Sequence, residues 1–430
     1  MKSNALSFIR LGDIADFRNG LNFSKESHGK GCPLIGVGDF KDNFSPKWDE
    51  LEEINPDGVS KVEDYLKEGD LLFVRSNGNK ALVGRSLYIN KDIKALYSGF
   101  CIRARLKTDD ICPLFLAYFT KTQFFRDAIS FVAGTNINNL NQGILSEVRI
   151  PSYSKEKQAL IAKALSSIDQ KIELNNRINT ELEAMAKTLY DYWFVQFDFP
   201  DANGKPYKTS GGKMVFSDAL KREIPAGWSD GTLDNLGQIV GGSTPSTSDK
   251  NNFSEQGNAW ITPNDLSVNL GNKFISKGAM GVTDKGIKSA SLKKYPAGTV
   301  LLSSRAPIGY MAIARNALTT NQGFKSFVPS KGYPTEFVYF TVKNSLKAIM
   351  QYSSGSTFKE VSGTVLKTVK IVLPPNELVE EFKGKIEDLF RKQDVLEQES
   401  EQLSSLRDWL LPMLMNGQVT VNQSTEPKIA

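Results

Sequence analysis

"GTNINNLNQGILSEVRI" fills residues 134–150, and "GSTFKEVSGTVLKTVKI" fills residues 355–371. At an offset of 221, with no gap, Gly134 falls on Gly355, Leu145 on Leu366, Val148 on Val369 and Ile150 on Ile371. Each stretch then meets a proline-bounded start, "IPSYS" or "LPPNE", of a long amphipathic pattern. Self-similarity at a fixed offset signals a duplicated unit, and the duplication governs everything else in the chain.

Working outward, "YFT" at 118–120 returns at 339–341 with the same offset. Further out, small gaps are needed. "LGDIADFRNG" (11–20) parallels "LDNLGQIVGG" (233–242), "EGDLLFVRS" (68–76) parallels "AGTVLLSSR" (297–305), and "SGF" (98–100) parallels "QGF" (322–324). Short β-branched and aromatic runs such as "DLLFVRS" and "TVLLSSR", bounded by turn residues, predict strands. The apolar segments 112–133 and 334–353 predict helices near the end of each copy, so each copy is α+β.

After each copy comes a seam. Ile161, Leu165, Ile168, Ile172, Leu182 and Leu189 fall on an alternating 4,3 grid, with Asn175, Asn179 and Ala186 at the remaining places. Shifted by 221, the grid lands on Phe382, Ile386, Leu389, Leu396, Leu403 and Leu410, with Gln393 in the polar middle. Such spacing is a heptad stripe. Two stripes of similar length and register make one the natural partner of the other. At 1.5 Å per residue, about 36 residues predict a rod of roughly 50–55 Å. Asn175, Asn179 and Gln393 are expected to fix register at some cost in stability.

The 430 residues predict several domains with real cores. Three cysteines, Cys32, Cys101 and Cys112, form neither a disulfide framework nor a zinc pattern, which suits a reducing cytoplasm. No run is long and apolar enough to predict a membrane span or a signal peptide. His28, the single histidine, lies in the polar loop "SKESHGKG", so it is read as a solvated residue, and histidine-based triads or metal sites are disfavoured. No phosphate-binding glycine-rich motif occurs, and "GVGDF" (36–40) reads as a turn. Neither a catalytic constellation nor a cofactor or metal site is expected.

The chain is mildly basic, with a formal charge of +5. Residues 154–193 hold six basic and six acidic residues, whereas 376–411 hold five basic and ten acidic ones. The positive excess therefore lies in the repeated regions and the connector, which suits globular regions touching nucleic acid and helices touching protein. Candidate DNA contacts are Arg75, Asn77, Asn79 and Lys80 in "RSNGNK", and Thr135, Asn136, Asn138 and Asn139 in the opening stretch. In the second copy they are Thr244, Ser246 and Lys250, then Ser304 and Arg305, then Ser356, Thr357 and Lys359. Arg and Asn can read guanine and adenine edges, while Ser, Thr and Lys mostly hold phosphate.

"YDYWFVQFDFP" (190–200), "GKPYKTSGGKMV" (204–215) and "REIPAGW" (222–228), with "PSYSKEKQALIAKALSSIDQKIELN" (151–175) before them, resemble the specificity subunit of type I restriction-modification systems. The resemblance covers essentially the whole chain, although Val379 stands where the first helix has Gln158. It implies two mixed target recognition domains, at 1–153 and 229–374, each reading one half of a split, asymmetric DNA site. It implies an antiparallel coiled-coil spacer from helices at 154–196 and 375–417, a connector at 197–228 and a tail at 418–430. Two methyltransferase subunits, and restriction subunits in the full complex, would dock on this non-catalytic frame. Two other classes remain open: a self-contained DNA-modifying enzyme, and a coiled-coil scaffold whose heads bind no DNA.

Overall fold

The structure, a computed structural model, describes residues 7–41, 43–133, 139–305, 307–352 and 360–421. The chain forms two compact units. One comprises Met1–Ile172 and Gln402–Ala430, the other Glu173–Glu401. Each unit thus contains one copy of the repeat and one end of each long helix.

In the first unit, Ser7–Arg10 pairs antiparallel with Arg149–Ser152, joining the start of the copy to its end. A four-stranded sheet runs in the order Ala15–Asn19, Cys101–Leu106, Leu71–Val74, Ser86–Tyr88, and a three-stranded one in the order Glu52–Ile54, His28–Ile35, Leu96–Tyr97. The second unit repeats the plan. Ser229–Thr232 pairs with Lys370–Leu373. Gly237–Gly241, Lys325–Pro329, Val300–Leu302 and Met311–Ala314 take the order of the first four-stranded sheet, and Phe274–Ile275 adds a fifth strand at its edge. The smaller sheets each contain one parallel pair, Leu34 beside Leu96 in one copy and Trp260 beside Thr319 in the other.

The repeated residues of the opening stretch now have a cause. Leu145 and Leu366 sit on short helices, Gln142–Glu147 and Gly363–Leu366, and both are fully buried. Burying one such side chain stabilises a fold by about 1.5–3 kcal/mol. The carbonyl of Val148 accepts from Leu11 N at 2.8 Å, and that of Val369 accepts from Leu233 N at 3.0 Å. Ile150 and Ile371 then enter the closing strand pairs. Gly134 and Gly355 lie outside the described residues.

The apolar segment 112–133 is two helices, Pro113–Phe119 and Gln123–Ala133, rather than one. The Thr120 and Thr122 hydroxyls donate back to the carbonyls of Ala117 and Phe119, and Thr122 Oγ1 accepts from Phe125 N at 3.1 Å, which ends one helix and starts the next. Its counterpart is a single helix, Thr335–Gln351. His28 is exposed, as expected, but it opens a strand instead of lying in a loop.

The long helices are Lys155–Tyr190, continued by a π-turn over Asp191–Val195, and Asn376–Met415. Of the seam residues, Ile161, Leu165, Phe382, Ile386 and Leu396 are buried, and Ile168, Ile172, Leu182, Leu189, Leu389, Leu403 and Leu410 are half-buried. The helices run antiparallel within each unit. In the first, Arg407 pairs with Asp169 at 2.8 Å, and Leu411 and Leu414 share a core with Ile161 and Leu165. In the second, Asn175 Nδ2 donates to Glu399 at 2.8 Å, Gln393 Nε2 donates to the Asn179 carbonyl at 3.1 Å, and Phe382 packs on Tyr190 and Trp193. The seams are not wholly each other's partner, however. Ile161 and Leu165 join the core of the first repeated copy, and Phe382 and Ile386 that of the second.

The motif residues of the connector are structural. Trp228 stacks on Phe199 with centroids 5.1 Å apart, and Phe199 stacks on Tyr207 at 4.6 Å. Asp198 accepts from both N and Oγ1 of Thr209 at 2.7 Å, which holds its carboxyl below the usual range. Gln158 is also structural. Fully buried, it accepts from Cys112 N and donates to the carbonyls of Asp110 and Tyr153, tying the helix start to the first domain. Val379, its counterpart, is buried among apolar side chains.

Candidate nucleic-acid interface

In the first unit three segments meet at the end of strand Leu71–Val74. Arg75 N donates to the Phe100 carbonyl at 2.7 Å, the Arg75 carbonyl accepts from Leu140 N at 2.8 Å, and Ser76 bridges Asn139. The second unit builds the same corner after Val300–Leu302. Ser304 N donates to the Gly323 carbonyl at 2.8 Å, its carbonyl accepts from Val361 N at 2.9 Å, and Arg305 bridges Glu360. A glycine packs against each corner. A Cβ on Gly20 would stand 2.1 Å from the Ser98 carbonyl oxygen, and one on Gly242 would stand 2.1 Å from that of Thr320, so neither position tolerates a side chain without backbone movement.

This geometry corrects the pairing of "SGF" with "QGF". Val74 pairs with Cys101 and Ser303 with Phe324, so Cys101 matches Phe324 and Phe100 matches Gly323. The two phenylalanines are not equivalent: Phe324 is fully buried, whereas Phe100 is 57% exposed.

The candidate contacts distribute as follows. Arg75 and Asn77 are half-buried, and Asn79, Lys80 and Asn139 are exposed. Asn77 Oδ1 accepts from Asn79 N, and Asn79 Oδ1 accepts from Ala81 N, so both asparagines also shape their turn. In the second unit Thr244 hydrogen-bonds Gln322, Ser246 faces Ser248 at 2.7 Å, and Lys250 is exposed. Arg305 is half-buried. Ser304, by contrast, is fully buried with no partner for its hydroxyl among the described residues, so its side chain supports the corner and does not present itself to a duplex. Thr135, Asn136, Asn138, Ser356, Thr357 and Lys359 lie outside the described residues.

Arg75, Lys80, Lys250 and Arg305 have no side-chain hydrogen bond or ion pair among the described residues. Most other arginines of the domains are engaged. Arg18 pairs with Asp64 at 2.7 Å, Arg105 with Asp70 at 2.6 Å, and Arg126 donates to the Val83 carbonyl at 2.7 Å. An unpaired guanidinium at a strand end keeps all its donors for an outside partner, and a planar fork suits phosphate or a guanine edge.

Sequence reasoning missed the anchors between domain and helix. In the second unit Arg315, almost buried, meets Asp394, Glu397 at 2.9 Å and Glu401 at 2.7 Å on the second long helix. Glu397 also accepts from Lys273 N and Phe274 N at 2.7 and 3.0 Å. Burial pushes the Glu397 carboxyl up to about 7 against the pull of these donors. Lys273 Nζ reaches Glu183 and Gln393, both at 2.6 Å, and lies 3.5 Å from the Phe390 ring centre. Burial lowers it to about 8, with Glu183 opposing. In the first unit Tyr118 donates to Asp169 at 2.6 Å, and burial raises its phenol well above the ordinary range. The acidic excess of residues 376–411 was the available signal. Part of the positive charge assigned to the domains is neutralised by that helix.

Among the described residues no group of three or more His, Cys, Asp and Glu side chains is placed to hold a metal ion, and no helix is long and apolar enough to cross a membrane.

The model of the type I restriction modification DNA specificity domain matches the chain twice, at residues 6–184 and 225–404. The type I restriction enzyme MjaIX specificity subunit of Methanocaldococcus jannaschii is 38% identical over 198 residues, which span 44% of this chain and only 45% of that subunit. The HindI specificity subunit of Haemophilus influenzae is 25% identical over 423 residues, covering 84% of this chain and 90% of that one. In fold, the chain resembles the crystal structure of the type I restriction-modification S subunit from M. genitalium, with a TM-score of 0.58 at 15% identity over 96% of this chain and 98% of that one. A domain matched twice over most of the sequence, and folded twice on one plan, means that this chain belongs to the type I restriction-modification DNA specificity family.

Proposed function

We propose that the chain is the non-catalytic DNA-reading and assembly subunit of a type I restriction-modification complex. Each recognition domain reads one half of a split, asymmetric site. The paired helices set the gap, and methyltransferase and restriction subunits dock on the frame. One observation carries this reading: two corners with the same backbone stitching each hold an arginine, Arg75 or Arg305, whose side chain has no partner among the described residues. A bidentate arginine–guanine pair supplies about 1–3 kcal/mol of base discrimination.

The helices support the ruler. Both contribute to each unit, and they pair antiparallel within each. A rod of roughly 50–55 Å could separate half-sites lying roughly 34–36 Å apart on one face of a duplex. Docking of two like partners is supported by exposed apolar side chains at repeat-related positions, Leu174 with Val395 and Met185 with Leu406.

Two experiments test the reading. Exchanging 229–374 for the matching region of a relative is expected to change one half of the methylated site and leave the other. Adding or removing one heptad within 168–189, matched in the opposing helix, is expected to alter the gap and preserve both half-site sequences. Altered half-site sequences after the heptad change would refute the ruler. A steep fall of duplex binding with salt is expected as well, and a flat profile would favour heads that bind something other than DNA.

A further inference from the structure

We infer that Phe100 is a specificity-determining residue of the first recognition domain, where its ring covers the 5-methyl group of a thymine beside the base met by Arg75. This rests on the DNA-reading proposal and deepens it. Phe100 is 57% exposed, yet the backbone around it is held by hydrogen bonds. Ser98 N donates to the Ile35 carbonyl at 2.9 Å, Gly99 N to that of Leu21 at 2.7 Å, and Cys101 N to that of Ser98 at 2.8 Å. The Phe100 carbonyl accepts from Arg75 N. Phe100 N donates to Ser98 Oγ at 3.3 Å. An exposed phenylalanine is thus carried on a turn whose backbone is pinned, directly across a main-chain hydrogen bond from Arg75, whose guanidinium has no partner of its own among the described residues.

An exposed apolar residue and, on the strand bonded to it, an arginine unpaired among the described residues match the major groove. There guanine offers two acceptors, and thymine offers the groove's apolar group, its 5-methyl. The second domain lacks the phenylalanine at this place. Gly323 fills the equivalent place, and a Cβ there would come within 2.8 Å of Pro263. The contact therefore belongs to one half-site only.

The test uses the full chain co-expressed with its partner subunits, and duplexes of its mapped site in which each thymine of the first half is replaced in turn by deoxyuridine. Binding is followed by fluorescence anisotropy. Removing one buried methyl group is expected to weaken the unmodified complex about fourfold at a single position. Phe100→Ala should abolish that difference, and Phe100→Tyr should retain it. Equal sensitivity to deoxyuridine in the unmodified and Phe100→Ala complexes, or none at any position, would overturn the inference while leaving the DNA-reading proposal standing. If the unmodified complex fails to distinguish its mapped first half-site from a scrambled one, the DNA-reading proposal falls and this inference with it.

Discussion

The two recognition domains agree in their backbones and differ at their tips. Both tie the chain after the central strand to the same two neighbouring segments. Both need a glycine pressed on a carbonyl at the same corner. Yet Arg75 occupies the place of Ser304, Ser76 that of Arg305, and Phe100 that of Gly323. The frame is built from main-chain groups, which every residue carries, so side chains at the corner are free to vary without unfolding it. The attachments to the helices differ too. The first domain uses Tyr118, Asp169 and Arg407, whereas the second sets Arg315 and Lys273 against four carboxylates.

The largest expected effect breaks the second attachment. Arg315→Ala leaves Glu397 buried without its cation, so the unit Glu173–Glu401 should lose roughly 3 kcal/mol in denaturant unfolding; an unchanged midpoint would make the cluster ornamental. Next come the tips. Arg75→Ala and Arg305→Ala should each cost about 1–3 kcal/mol of discrimination at one base, in different half-sites, when methylated sites are mapped. Loss at a shared base would contradict one domain per half-site.

A smaller effect is read in pH. Glu397 holds its proton up to about 7 when folded, above the ordinary glutamate value, so the folded state binds more protons between roughly pH 5 and 7. Stability of the second unit should therefore fall as pH rises through that window. Glu336, also raised by burial, adds the same sign. Glu397→Gln should flatten the slope, as measured by denaturant midpoints at each pH. The smallest change is Tyr118→Phe. It removes one hydrogen bond to an aspartate that Arg407 still holds, and should cost about 1 kcal/mol in the first unit.

Much of the molecule was legible. The heptad grid located buried positions along both helices because a helix face repeats with a fixed local period, whatever surrounds it. The echo of Leu145, Val148 and Ile150 was legible because identical packing demands identical side chains. Charge was read less well. Arg315 and Lys273 count as positive in any census, and their loss to helix acids depends on groups about 80–90 positions away. Ser304 seemed a contact by its neighbours in sequence, but the strand end turns it inward.

By itself the sequence determined the duplication, the α+β character of each copy, the two seams and the strand ends that carry arginine, since each is written in local period, composition or self-similarity. Tertiary structure alone decided the one-residue shift that exposes Phe100, the burial of Ser304, the sharing of the seams between helix and domain, and the ion pairs of Arg315. All of these depend on contacts between segments distant in sequence, whose register no local pattern encodes.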